Sequence, residues 1–231
     1  ASVWVLRRPR RDDLPESPLF WVVGLIAALI LTIPFVITGH WGLLGMGYNN
    51  DLGLHLAWAE WLRSGFGTEP SDGYPLGPHG LSAALSFIPD FALGRVFIGQ
   101  VMAIAVLTVM TAWAAVEPLG RWRRILAALL VGLPYLMVSY YAQAAFKELA
   151  AAMFLLAFVI ALPKLTPLPA ERRFRAVFPL LVLLLGIVFT YSFPGLAWPL
   201  AALFAWLLAD PGFRSRLRPG NVWFWLKRPV V

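Results

Sequence analysis

Five long apolar stretches of this chain contain no charged residue: 19–38, 96–116, 125–146, 149–163 and 176–209. Crossing the hydrocarbon core of a bilayer takes about 20 predominantly apolar residues in a helix. Only helices and closed barrels satisfy their backbone polar groups there, so runs of this kind restrict the chain to an all-α membrane bundle. Composition agrees. Hydrophobic residues make up 60% of the 231 positions and charged residues 13%, against roughly 25% charged in a soluble domain. A soluble enzyme and a disordered chain are both excluded. With no cysteine, there is no disulfide framework, thiolate nucleophile or Cys-type metal centre.

The last run spans 34 residues and would be roughly 51 Å long as one helix at about 1.5 Å per residue. Ser192-Phe193-Pro194-Gly195 is a turn signal within it. Splitting there gives six spans: 19–38, 96–116, 125–141, 148–163, 176–192 and 195–209. Residues 80–94 are short and contain Pro89-Asp90, and charge decides how they are placed. If they do not cross, 16 of the 19 Lys and Arg residues lie on one side, leaving Arg63, Arg95 and Lys147 on the other. Basic residues mark the cytoplasmic side. The expected organisation is a basic cytoplasmic segment 1–18, a transmembrane module 19–209 and a basic, aromatic cytoplasmic tail 210–231. The first outer loop, 39–95, carries interfacial helices at 51–64 and 80–94. Trp21, Trp41, Trp58, Trp61, Trp113, Trp122, Tyr140, Tyr141 and Trp198 are placed as an interfacial belt. The net charge of +7 is explained by the cytoplasmic loops, and no nucleic-acid partner is expected.

The polar chemistry is concentrated in the outer loops. Asn50 is placed as an N-cap, with Asp51 in the first turn of the helix that follows. Asp51 and His55 are four apart and share a helix face. Gly65 is a stop signal. A stiff Pro- and Gly-rich segment then leads to His79 at the start of the next helix. Asp51, His55 and His79 form a candidate cluster, with Glu60, Glu69 or Asp72 nearby. Two chemistries fit it. A carboxylate can serve as general base on an acceptor hydroxyl. Alternatively, Asp51 with one or both histidines can hold a divalent metal that neutralises a phosphate leaving group. The bland alternative makes Asp51 a helix-dipole residue and His55 a solvated interface residue. In the second outer loop, Lys147 sits at a helix start, where an ammonium and the helix N-terminus together attract phosphate. Glu148 either pairs with it or supplies a second carboxylate. A snorkelling lysine beside a helix-start glutamate is the plain reading. No P-loop, H-E-x-x-H, G-x-S-x-G or G-x-G-x-x-G motif occurs.

The order of these features resembles the GT-C superfamily of polytopic glycosyltransferases. One span is followed by a large outer loop with an early Asp, here Asp51. That loop carries interfacial helices and a YPLGPHGL stretch at 74–81. A short outer loop between the third and fourth spans bears charges, here Lys147-Glu148. The resemblance covers about residues 19 to 165. It implies a polyprenyl-phosphate-linked sugar as donor, a glycan or lipid acceptor, inversion at the anomeric carbon and location in a bacterial plasma membrane. Carried over, Asp51 is the catalytic carboxylate and Lys147 a lipid-phosphate ligand, with His55, Tyr74, His79 and Glu148 as further substrate-binding candidates. The first loop shows a single Asp where an acidic pair is usual, and the chain is shorter than typical members. It is therefore expected to be one module of a longer protein. The alternative class is a non-catalytic membrane scaffold, or a lipid-binding or transport module. The two separate on geometry, since an enzyme requires the polar residues of both outer loops to converge.

Overall fold

The computed structural model describes residues 18–40, 51–88, 91–165 and 170–209; the side chains of Asp51 and of residues 164–176 fall outside that description. So do Asn50, Trp41, the basic segment 1–17 and the tail 210–231. All regular structure among the described residues is helical, as the apolar runs require. The α-helices are α1 (Pro18–Thr38), α2 (Asp51–Ser64), α3 (Gly77–Leu85), α4 (Leu93–Ala115), α5 (Arg121–Gly132), α6 (Tyr135–Ala142), α7 (Phe146–Ala161), α8 (Ala170–Tyr191) and α9 (Ala197–Ala209).

Two of these helices, α1 and α4, are long and apolar enough to cross a membrane, with mean hydropathies of 2.6 and 2.0. At 21 residues, α1 reaches about 31 Å at about 1.5 Å per residue, close to the hydrocarbon thickness of about 30 Å. A third candidate is the bent pair of α5 and α6. The sequence reading drew 125–141 as one straight span, but the helix breaks at Leu133-Pro134 and turns by 53°. Proline lacks the N–H and pushes the preceding residue out of the helical region; Leu133 sits at φ −126°, ψ 52°. Gly132, just before the break, is where α5 meets α4. A Cβ there would lie 2.5 Å from the Val109 Cα, so only glycine fits.

α4 is the central pillar and sets the directions of its neighbours. Phe35, late in α1, shares a cluster with Phe97, early in α4, while Val23, early in α1, packs with Ala112 and Trp113, late in α4. The two helices are therefore antiparallel. α5 leaves from the Trp113 end through Ile125, and α6 arrives at the Phe97 end, where the Tyr141 hydroxyl donates to the Leu31 carbonyl at 2.8 Å. α7 starts there with Phe146 and Leu149, α8 returns, and α9 turns back along α7, with Leu203 and Trp206 against Phe158 and Leu162. The predicted turn at 192–195 is present: Ser192 adopts φ +63° and a 3-10 turn follows over Phe193–Leu196. The hydroxyls of Thr32, Thr38 and Thr108 each donate to a carbonyl of their own helix one turn back, at 2.7–2.8 Å, and none is left unsatisfied in apolar surroundings.

The expected helix at 80–94 is shorter and shifted. α3 begins at Gly77 with Pro78 in its first turn and ends at Leu85, and by Leu93 the chain is already in α4. The aromatic belt is corrected at three positions: Trp58, Trp113 and Tyr141 are buried, while Trp21, Trp122 and Trp198 are exposed. Trp113 lies beneath the Arg124 guanidinium at 4.0 Å, and the same Arg124 caps α4 by donating to the Trp113 carbonyl.

Candidate functional site

The Phe97 end of the bundle is covered by α2, α3 and the loop between them. Local chemistry explains their course. Gly65 takes φ +75° and its N–H bonds to the Trp61 carbonyl at 2.8 Å, ending α2 with a left-handed residue. Ser71-Asp72-Gly73-Tyr74 then closes a turn through the Tyr74 N–H and the Ser71 carbonyl, with Gly73 at φ +74°. Pro75 and Pro78 stiffen the path into α3. Gly77 seats that path against α8, since a Cβ there would stand 2.8 Å from the Phe189 carbonyl oxygen.

The outcome is a compact aromatic and histidine cluster. His79 Nε2 and His55 Nδ1 are 3.0 Å apart, a hydrogen bond between two buried rings. Trp58, one turn after His55, packs against Tyr74 with centroids 4.3 Å apart and the rings inclined at 58°. Phe146 meets both imidazoles edge-on, at 4.9 Å from His55 and 5.1 Å from His79, and Phe97 closes the floor. The Lys147 ammonium lies 4.9 Å from the Tyr74 ring centroid, a cation–π contact at the rim. Burial, together with His55 and Lys147, pushes the His79 imidazole down to about 3, so it is neutral at physiological pH. Among the described residues, three buried polar atoms of this cluster find no hydrogen-bond partner: Trp58 Nε1, the Tyr74 hydroxyl and His79 Nδ1.

Of the residues singled out in the sequence, His55, Tyr74, His79 and Lys147 are brought together here. His55 is buried, not solvated. Asp51 opens α2 one turn before His55, and its side chain lies outside the described residues. Glu60 is taken up by Arg63 at 2.7 Å on the exposed side of α2, and Glu69 and Asp72 are exposed. Glu148 forms no ion pair with Lys147 and faces a different cleft, lined by Tyr140, Tyr191 and Trp198. Consecutive helical residues project about 100° apart, which separates the two side chains. Among the described residues no group of three or more His, Asp or Glu side chains converges as a metal site. The described donors amount to one hydrogen-bonded histidine pair, short of the three protein ligands typical of a catalytic zinc. The sequence reading did not single out Phe97, Phe146 or the role of Trp58. The signals were present in the spacing of Trp58 from His55 and in the adjacency of Phe146 to Lys147.

Beside the cluster runs an apolar groove of about 400 Å³ between α3, α4, α7 and α8. Its walls include Leu81, Ile104, Leu107, Met153 and Phe154, and its upper end is the first turn of α3 at Gly77-Pro78. Gln100, also on its wall, is hydrogen-bonded to Ser82 at 2.6 Å. Comparison with protein-family models, with curated proteins and with solved structures returned no match.

Proposed function

We propose that the chain is the membrane module of a GT-C-type glycosyltransferase, which moves a sugar from a polyprenyl-phosphate donor to a glycan or lipid acceptor on the outer face of a bacterial plasma membrane. The observation that carries the reading is the apolar groove ending beside a buried polar cluster with an ammonium at its rim. A lipid-linked phosphate needs both parts: hydrocarbon walls for a chain that cannot leave the bilayer, and a positive charge where that chain ends.

The distribution of charge along the bundle supports an orientation. Arg121, Arg123 and Arg124 start α5 at the Trp113 end, whereas His55, His79 and Lys147 lie at the Phe97 end. Along α4 those ends are 16 residues apart, about 24 Å at about 1.5 Å per residue. The positive-inside rule then puts the arginines in the cytoplasm and the cluster outside. The alternating courses of α1, α4, the α5–α6 pair, α7, α8 and α9 support a reading of six crossings, with the bilayer locally thinned around the shorter members.

In the proposed reaction the acceptor hydroxyl attacks the anomeric carbon from the face opposite the phosphate. The new C–O bond forms as the bond to the phosphate oxygen breaks. The hydroxyl proton passes to the Asp51 carboxylate, and the polyprenyl phosphate leaves with the bonding pair, its charge met by Lys147. The His79 imidazole, neutral at physiological pH, hydrogen-bonded to His55 and packed with Tyr74 and Trp58, fixes the loop that carries these groups. Purified protein in proteoliposomes, given a polyprenyl-phosphate sugar and acceptor glycans, should release polyprenyl phosphate in step with glycosylated acceptor. A folded chain that binds the donor but releases no polyprenyl phosphate with any acceptor would be a lipid-binding module, not a transferase.

A further inference from the structure

The second cleft, the one that holds Glu148, is not used by the donor. It opens at the same end of the bundle, on the side of the α7–α8 pair away from the apolar groove. Ala151, Ala152 and Leu155 form its α7 wall below Glu148, whereas Ala150, Met153 and Phe154 face the groove. Tyr140, Tyr191 and Trp198 stand around it. Glu148 is half-buried there and has no ion-pair partner among the described residues. A carboxylate facing a cleft is an acceptor of hydrogen bonds, so the ligand that suits it is one that supplies donors. Its aromatic walls call for a ligand with an apolar face. Its volume of about 230 Å³ falls below the roughly 300–1,000 Å³ of drug-sized sites, which limits the occupant to one small unit.

The backbone is held in unusual conformations on both sides of this cleft. Among the described residues two non-glycine positions have positive φ, Ala144 at 55° and Ser192 at 63°. The first lies two residues before the start of α7, which carries Glu148 in its first turn, and the second follows Tyr191 directly. Such conformations persist where the surrounding structure over-determines them, and they concentrate at ligand sites. Gly195 continues the arrangement. A Cβ there would lie 2.9 Å from Ile187 Cγ2, so the chain is pulled tight to α8 just before Trp198.

We propose that this cleft binds a single sugar unit of the acceptor glycan, with the apolar C–H face of the ring on Trp198 and its hydroxyls donating to the Glu148 carboxylate. A hydroxylated ring supplies both the neutral donors and the flat apolar face that the walls require. The proposal rests on the transfer reading and adds to it the acceptor class. Because α7 separates this cleft from the donor groove, the bound unit is remote from the reacting hydroxyl. Its binding energy orients the acceptor.

Saturation-transfer NMR on the full chain in nanodiscs tests it without any transfer step. The probes are a panel of methyl hexosides and pentosides, with tetramethylammonium as the cationic control for an aromatic cage. At least one glycoside should show saturation of its ring C–H protons. Its apparent affinity should fall about tenfold or more in Glu148→Gln, the loss expected when a hydrogen bond to a charged group is weakened, and similarly in Trp198→Ala. Trp198 is 66% exposed, so its truncation opens no core, and an unchanged melting temperature verifies that the variant is folded. Absence of signal from every glycoside, equal signals in both variants, or binding of tetramethylammonium alone would each overturn the proposal. Sugar binding intact in a protein that transfers nothing would sink the transferase reading and leave the cleft assignment standing.

Discussion

Acidification from pH 7 to pH 5 should destabilise this protein through one residue. His79 has no exposed surface, and its imidazole is pushed from the ordinary 6.5 down to about 3. Burial is the main cause, and the His55 and Lys147 charges add to it. A histidine with a depressed folded pKa stays neutral when folded but takes up a proton once unfolded. The unfolded state therefore binds more protons below pH 6.5, and stability falls with pH from about 6.5 towards 3. The slope approaches about 1.4 kcal/mol per pH unit, so pH 5 costs about 2 kcal/mol relative to pH 7. For a chain of this size that is a drop of roughly 4–8 °C in melting temperature. Among the described residues the titratable groups facing His79 are His55, Tyr74 and Lys147, and ordinary carboxylates titrate below this window. The assay is thermal unfolding in nanodiscs at pH 7 and pH 5, for the wild type and for His79→Gln, which keeps a hydrogen-bonding side chain but cannot titrate. Most of the pH-dependent drop should vanish in the variant. An identical drop in both proteins would show that His79 is not a buried neutral imidazole, and the electrostatic account of the cluster would fail.

Other consequences are equally specific. Lys147→Met keeps the length of the side chain and removes its charge, so it should raise the KM for a polyprenyl-phosphate donor about tenfold or more with a smaller change in kcat, as loss of a charge-assisted contact predicts; an unchanged KM would remove Lys147 from the phosphate site. Gly77→Ala places a Cβ 2.8 Å from the Phe189 carbonyl oxygen and Cβ, an overpacking expected to cost about 1–3 kcal/mol and read as a lower melting temperature; a neutral effect would mean that α3 is not seated on α8. Single cysteines placed in this Cys-free chain should react with an impermeant reagent from outside at position 72 and not at position 123, and labelling at 123 would invert the topology.

The legible part of this fold was the part governed by long-range composition. Apolar runs identified an all-helical chain with helices able to cross a membrane, and local signals the first-loop helix from Asp51 and the turn at Ser192-Phe193-Pro194-Gly195, but of the six expected spans only α1 and α4, or three with the bent α5–α6 pair, are long and apolar enough among the described residues. What the pattern could not carry was local backbone geometry and side-chain partnership. The run 125–141 is uniformly apolar, so its hydropathy hides the break that Pro134 forces. Trp58 and Trp113 resemble belt residues by position, but one packs under Tyr74 and His79 and the other under Arg124. Lys147 and Glu148 are adjacent in sequence and serve different clefts, because a helix turns consecutive side chains away from each other. The histidines were legible as candidates because ionisable groups are rare here. Their direct bond, across 24 positions of sequence, was not.

The central claim is sugar transfer at the outer end of the bundle with Asp51 as base, and the transfer assay on Asp51→Asn addresses it most directly. Asparagine keeps the size and the capping ability of the residue but cannot accept the proton. In proteoliposomes supplied with a polyprenyl-phosphate sugar and acceptor, the variant should insert and melt like the wild type yet lose about 10²–10⁴-fold in rate. Glu60→Gln, which breaks only the exposed pair with Arg63, should transfer at the wild-type rate, since such pairs contribute about 0–1 kcal/mol. An Asp51→Asn protein that keeps more than about a tenth of the wild-type rate, far above the residual left by loss of a base, would contradict the account.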